Sequence, residues 1–119
     1  MPKTGAGGGL GHFAVQYARV MGMRVIAVDG GRDKGEFCKD LGAEAFIDFK
    51  ETSDIAARIH EITGYGAHAV IVFPASKETY AAAPTYLRVG GTLVAIGLAP
   101  DPTAVAGAHP MLVIGNRLT

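Results

Sequence analysis

The stretch Gly5-Ala6-Gly7-Gly8-Gly9-Leu10-Gly11, read on through His12-Phe13-Ala14-Val15-Gln16-Tyr17-Ala18-Arg19 to Arg24-Val25-Ile26-Ala27-Val28-Asp29, decides the fold. Five of the chain's 17 glycines lie between positions 5 and 11. Glycine has no Cβ, so such a segment can turn tightly and bring its backbone close to a ligand. From Leu10 the apolar or small positions run Leu10, Phe13, Ala14, Tyr17, Ala18, Met21, one face of an amphipathic helix. Gly22 ends it. The helix N-terminus presents free N–H groups and the positive end of the macrodipole, so it attracts phosphate. Arg24 to Val28 then reads as a short buried parallel strand, closed by Asp29-Gly30-Gly31. A strict G-x-G-x-x-G is missing. Gly5, Gly7 and Gly11 give G-x-G-x-x-x-G, and Ala6, Gly8 and Gly11 give A-x-G-x-x-G. Taken alone, the loop is a weak signal, since a flexible glycine-rich segment would look the same.

Further along, the alternation continues. Asp33 can cap a helix through Leu41, stopped by Gly42. Ala45 to Asp48 is a strand. Ser53 can cap a helix carrying Ile55, Ile59 and Ile62, stopped by Gly64. Ala69 to Phe73 is the next strand. Ser76 opens a helix through about Leu87, kinked at Pro84 and followed by Gly90-Gly91. Thr92 to Ile96 is the fourth strand, and Met111 to Ile114 is a short apolar run in the tail. Strands alternating with helices imply βαβ units. The predicted class is α/β, a Rossmann-like doubly wound parallel sheet. Only Met1 to Thr4 precede Gly5, so the sheet is expected to be incomplete, its first strand missing. The whole of 1–119 is read as a single partial domain.

Composition narrows the functions. Lys plus Arg and Asp plus Glu are 11 each among 119 residues, giving zero net charge. No basic field is present for nucleic acid or an anionic membrane. Hydrophobic residues make up 49% of the chain, enough for a core, yet no apolar run approaches the length of a membrane span. The N-terminus carries no signal-peptide pattern, so a soluble, cytoplasmic protein is expected. Cys38 is the single cysteine, and His12, His60, His68 and His109 are scattered without metal-ligand spacing. No metal ligands and no catalytic residues are predicted.

Asp29 gives the glycine loop its meaning. It lies 18 positions after Gly11, at the end of the strand that follows the loop helix. A dinucleotide-binding unit needs an acidic residue about there, to accept hydrogen bonds from the adenosine ribose. The same carboxylate repels a 2′-phosphate, which favours NAD over NADP. Arg32 stands close enough to leave NADP open.

These residues carry a family resemblance. Gly5 to Arg19 resembles the coenzyme loop of zinc-dependent medium-chain alcohol dehydrogenases of the yeast and bacterial type. Val25 to Lys34 resembles their ribose-binding turn. Leu41-Gly42-Ala43-Glu44-Ala45-Phe46-Ile47-Asp48-Phe49 resembles their next strand, and Gly90-Gly91-Thr92-Leu93-Val94-Ala95-Ile96-Gly97 the strand beside the nicotinamide. The resemblance implies a cofactor-binding set. Gly8, Gly9 and Leu10, framed by Gly7 and Gly11, would meet the pyrophosphate. Asp29 and Lys34 would hold the ribose, and Phe49 would lie near the adenine. Phe73, Ile96 and Leu98 would flank the nicotinamide half. It also implies a parent reaction, NAD-dependent oxidation of an alcohol to its carbonyl at a catalytic zinc.

The family's zinc ligands have no counterpart in these residues, and its zinc-binding catalytic domain is expected to be absent. The chain alone is therefore expected to bind NAD and catalyse nothing. Alternatives are a non-enzymatic nucleotide-binding or partner module, or a truncated remnant without function. Expected partners are NAD and either a second copy or a full-length relative that completes the sheet.

Overall fold

The computed structural model describes residues 9–73, 77–96 and 115–119, with the side chains of 9, 10 and 77 left aside. Its elements run α1 (Gly9–Val20), β1 (Ile26–Asp29), α2 (Arg32–Asp40), β2 (Ala45–Asp48), α3 (Ile55–Thr63), β3 (Ala67–Val72), α4 (Lys77–Ala82), a 3₁₀ turn (Ala83–Tyr86) and β4 (Leu87–Ala95). The chain divides into two compact units, Met1–Ile55 and Ala56–Thr119. Among the described residues every strand pairing is parallel. β1 pairs with β2, and β3 pairs with β4, as two two-stranded sheets. This is the α/β alternation read from the sequence. The helices Ser76 was expected to open and the run 111–114 begin or lie outside the described residues.

In the first unit, register is simple: Ile26, Ala27, Val28 and Asp29 face Ala45, Phe46, Ile47 and Asp48 in order. The core gathers Val15, Ala27, Cys38 and Ala43, with Val25, Leu41 and Phe46 packed against it. The buried side of α1 carries Gly11 and Val15. The periodic face Leu10-Phe13-Ala14-Tyr17-Ala18-Met21 therefore needs correcting. Phe13, Tyr17 and Met21 are exposed, while Ala14 and Ala18 are half-buried. Small residues let α1 close on its neighbours, so Val15 beside Gly11 and the alanines takes the inner position. Bulk alone misidentified the face.

The start of α2 also differs. Gly31, with φ 110° and ψ 137°, stands at the cap position without a side-chain cap. Asp33 falls inside the first turn instead, where its charge still complements the helix dipole. Gly42 ends the helix region at φ 115°, and a Cβ there would press on the Arg19 side chain. At the edge of the unit Arg24 grips the Glu44 carboxylate with Nε at 3.1 Å from each oxygen and a terminal nitrogen at 2.7 Å. Arg24 holds the Glu44 carboxyl below its ordinary range through that hydrogen bond. Both side chains are open to water, so the pair adds little to stability.

In the second unit the core gathers Val72, Tyr80 and Ala83, with Val70 and Leu93 against them. The helix expected through Leu87 ends at Ala82. Pro84 lacks an N–H and its ring clashes with the preceding turn, so it stands at the start of the 3₁₀ turn, where the lost donor costs least. Leu87 is already extended, at φ −83° and ψ 146°. Gly90-Gly91, expected between helix and strand, lies inside β4. The pairing Ala67 to Leu87 jumps to Ala69 with Thr92, so β4 bulges through this glycine pair. Gly90, at φ 77°, supplies the left-handed residue. The last residues lie along β4: the Gly90 amide donates to the Asn116 carbonyl at 2.7 Å, the Thr119 amide to the Gly91 carbonyl at 2.9 Å, and the Leu93 amide to the Thr119 carbonyl at 2.7 Å.

Candidate nucleotide-binding site

Asp29 ends β1, at the carboxyl edge of the parallel pair, where ligands of α/β sheets bind. Its side chain is 1% exposed. A charge so sheltered must be answered by donors. Oδ1 accepts the Gly30 amide at 2.8 Å and the Lys34 Nζ at 3.4 Å. Lys34 stands in the first turn of α2 and remains partly exposed, so it can serve the carboxylate and still reach outward. The glycines at 30 and 31 allow the chain to leave β1 and enter α2 in two residues. A Cβ on Gly30 would meet the Phe49 ring at 2.9 Å. Thus Phe49, half out in solvent, is packed over the Asp29-Gly30 turn. The Phe49 amide donates to the Asp29 carbonyl at 3.1 Å, tying the exits of β1 and β2 together.

Of the residues singled out by sequence, Asp29, Lys34 and Phe49 come together around one turn. Gly11 is buried near the start of α1, and the backbones of Gly9 and Leu10 form that helix's first turn. Gly7, Gly8 and Leu98 lie outside the described residues. In the second unit, Phe73 and Ile96 follow the register partners Val72 and Ala95. The Ile96 amide donates to the Val72 carbonyl at 3.0 Å, which sets the two side chains at the same carboxyl edge. Phe73 is buried and Ile96 is partly exposed. Arg32 is exposed at the start of α2.

Sequence reading missed Asp48. It is the register partner of Asp29, and its Oδ2 accepts the Gly31 amide at 3.2 Å. The signal was available: an Asp closing each of two successive strands, with the first followed by two glycines.

Among the described residues no three of His, Cys, Asp and Glu are grouped to hold a metal ion. Cys38 is fully buried in the apolar core of the first unit, which is no surrounding for a zinc thiolate. The described residues do not fit the zinc of the resembled family. Burial pushes the Cys38 thiol up from its ordinary value; the Asp29 charge adds to this and Lys34 opposes it. A raised value means the unfolded chain loses this proton first. The thiol's contribution to stability is therefore whole below about pH 8.5 and declines as pH rises beyond it. At pH 8 a thiol reagent should label native Cys38 at least about a hundredfold more slowly than the denaturant-unfolded chain. Equal rates would show that the first core is open.

Residues 9–119 match the family model described as zinc-binding dehydrogenase. Alcohol dehydrogenase 1 of Emericella nidulans is 50% identical over 100 residues, 82% of this chain and 29% of that protein. The crystal structure of an alcohol dehydrogenase zinc-binding domain protein from Burkholderia ambifaria superposes with a TM-score of 0.85 at 28% identity, over 98% of this chain and 30% of that one. A mycobacterial protein, solved in complex with NADPH, gives 0.78 at 31% identity, over 95% and 34%. The chain thus spans about a third or less of the length of these relatives. Among the described residues no helix is long and apolar enough to cross a membrane. By these matches the chain belongs to the zinc-binding dehydrogenase family, as coenzyme-domain sequence of the medium-chain alcohol dehydrogenase type.

Proposed function

We propose that this chain is an NAD-binding segment of an alcohol-dehydrogenase-like oxidoreductase, and that residues 1–119 form one partial nucleotide-binding domain. The observation that carries the reading is the sheltered Asp29 carboxylate at the tip of β1, with Lys34 beside it and Phe49 over its turn. That donor and acceptor set fits the adenosine half of a dinucleotide. Asp29 would accept the ribose hydroxyls and Lys34 would add a donor. Phe49 offers an apolar face near the adenine. The loop Gly7 to Gly11, with Leu10, would meet the pyrophosphate at the start of α1. Phe73, Ile96 and Leu98 would wall the nicotinamide half. Because Asp29 is buried, the ribose must displace what covers the carboxylate. When bound, the nucleotide accepts or donates hydride; the chain's own residues bind and orient it.

A 2′-phosphate would be a second negative group beside the Asp29 carboxylate, and this repulsion supports NAD over NADP. The NADPH complex of the mycobacterial neighbour and the exposed Arg32 are the reasons to measure both. The parent reaction is alcohol to aldehyde or ketone with reduction of NAD. By itself this chain would carry out none of it, since its single cysteine lies in the core. Calorimetric titration of the 119-residue chain with each nucleotide tests the reading. NAD should bind at one site, and NADP at least about tenfold more weakly, as the loss of one charged hydrogen bond and added repulsion require. No heat with either nucleotide defeats the proposal. Alcohol-dependent NADH formation by the pure chain defeats the claim of inactivity.

A further inference from the structure

Asp48 uses both its carboxylate oxygens, one within its own turn and one beyond it. Oδ1 accepts the Lys50 amide at 2.9 Å, two residues on, closing a turn of its own after β2. Oδ2 reaches across to the neighbouring strand's exit and accepts the Gly31 amide at 3.2 Å. Gly31 is the cap residue of α2 and has no side chain to hold itself at φ 110° and ψ 137°. Its amide is fixed by the carboxylate of a residue 17 positions away. Behind it, the Gly31 carbonyl accepts the Gly35 amide at 3.2 Å, the first bond of α2. Asp48 thus holds the point where the chain turns from Asp29 into the helix that carries Lys34.

We propose that Asp48 is the positioning residue of the adenosine-ribose turn. By anchoring Gly31 it fixes the direction of Asp29 and the distance of Lys34 from it, so the ribose meets donors and acceptor already in place. The free glycine pair would otherwise sample many turns, and ordering it would draw on the binding energy. This inference rests on the nucleotide reading above. The role is indirect: Asp48 acts through Gly31 and need not touch the ligand.

Two variants of the 119-residue chain test it. Asp48→Ala removes both acceptors. Asp48→Ser keeps a hydroxyl able to close the local turn at Lys50 but too short to reach Gly31. For each, NAD and NADP are titrated well below the melting temperature, and amide exchange at Gly31 is followed by NMR. Both variants should bind NAD about tenfold more weakly, the worth of one charge-assisted hydrogen bond. NADP, which does not gain from the ordered turn, should change less than about twofold on the same scale, so the preference for NAD collapses. Gly31 should exchange at least about tenfold faster while amides of β3 and β4 keep their protection. A mere loss of stability would not move the NAD to NADP ratio. Unchanged NAD affinity in Asp48→Ser, or lost affinity with Gly31 still protected, overturns the inference alone. Absence of NAD binding by the wild-type chain overturns the nucleotide reading and the inference with it.

Discussion

Gly66→Ala is expected to unfold the second unit, with a loss of about 3 kcal/mol or more. Gly66 has φ 107°, and a Cβ built on it would stand 2.6 Å from the Arg88 nitrogen, 2.8 Å from the Leu87 carbonyl carbon and 2.9 Å from the Arg88 Cα. All three are backbone atoms, so no rotamer change relieves the clash. Left-handed backbone alone costs a non-glycine residue about 1–2 kcal/mol. The rest of the penalty comes from moving the start of β4, whose Leu87 is buried and paired with Ala67. Nor can Gly66 easily retreat, because its amide donates to the Thr63 hydroxyl at 2.9 Å, and that hydroxyl donates to the Ile59 carbonyl at 2.8 Å. Gly64→Ala is the control. Gly64 has φ 90° with nothing within 4 Å of the added carbon, so it should lose only the conformational part, about 1 kcal/mol. Thermal melts and amide exchange of β3 and β4 measure both. Equal effects would show that close approach of backbone, as distinct from the turn angle, contributes nothing at Gly66.

That contrast also marks what the sequence could carry. Gly64 was legible as a helix stop because a glycine after Ile55, Ile59 and Ile62 ends a periodic run. Gly66, two residues later, looks the same in composition, yet its necessity is tertiary: it lies against β4, which is distant in sequence. The strands and helices were readable because short apolar runs alternate with periodic helical segments, several of them ended by glycine at 22, 42 and 64. β2 was placed to the residue. Pro84 was read correctly as an interruption but too weakly, since a kink keeps a helix and this proline converts it to a 3₁₀ turn. β4 was read as five residues because its glycine pair looked like a linker. Only the pairing of Ala67 with Leu87 and the backbone bonds to 115–119 reveal that the strand starts before them. The inner face of α1 was misread for a related reason. Periodicity weights large residues, whereas close packing of a helix on a strand selects small ones, and Val15 satisfies both only in three dimensions.

The candidate site divides along the same line. Asp29 and Lys34 are five residues apart, joined by a turn and one helical step, so local spacing suffices to bring them together. Phe49 was reached only by resemblance, and its place over Gly30 depends on the pairing of β1 with β2. Asp48 depends on that pairing too, as the register partner of Asp29, and the resemblance of Leu41 to Phe49 assigned it no role. Residues that act on one another across a strand pair are invisible until the register is known.

Asp29→Ala should abolish measurable NAD binding, a loss of at least about a hundredfold. Two hydrogen bonds from ribose hydroxyls to a charged, sheltered acceptor are each worth about 1.5–3 kcal/mol, and every 1.4 kcal/mol is tenfold. The affinity lost is therefore larger than for either Asp48 variant, which leaves the acceptor itself intact. Stability should respond less than affinity. Removing Asp29 deprives the Gly30 amide and Lys34 of a partner, but Lys34 is partly exposed and can turn to water. Asp29→Asn separates shape from charge. Its amide oxygen can still accept the Gly30 amide, so the turn should persist, while the ribose meets a neutral acceptor and NAD binding falls about tenfold. Both variants also withdraw the negative charge that helps hold the Cys38 thiol up, so the pH at which native Cys38 becomes reactive should fall in each. That thiol titration reports on the interior of the first unit without any nucleotide present. A variant that shows the shift at Cys38 yet binds NAD as wild type does would place the ribose somewhere other than Asp29. A variant that loses NAD with the Cys38 shift and an intact fold ties the binding to this one carboxylate.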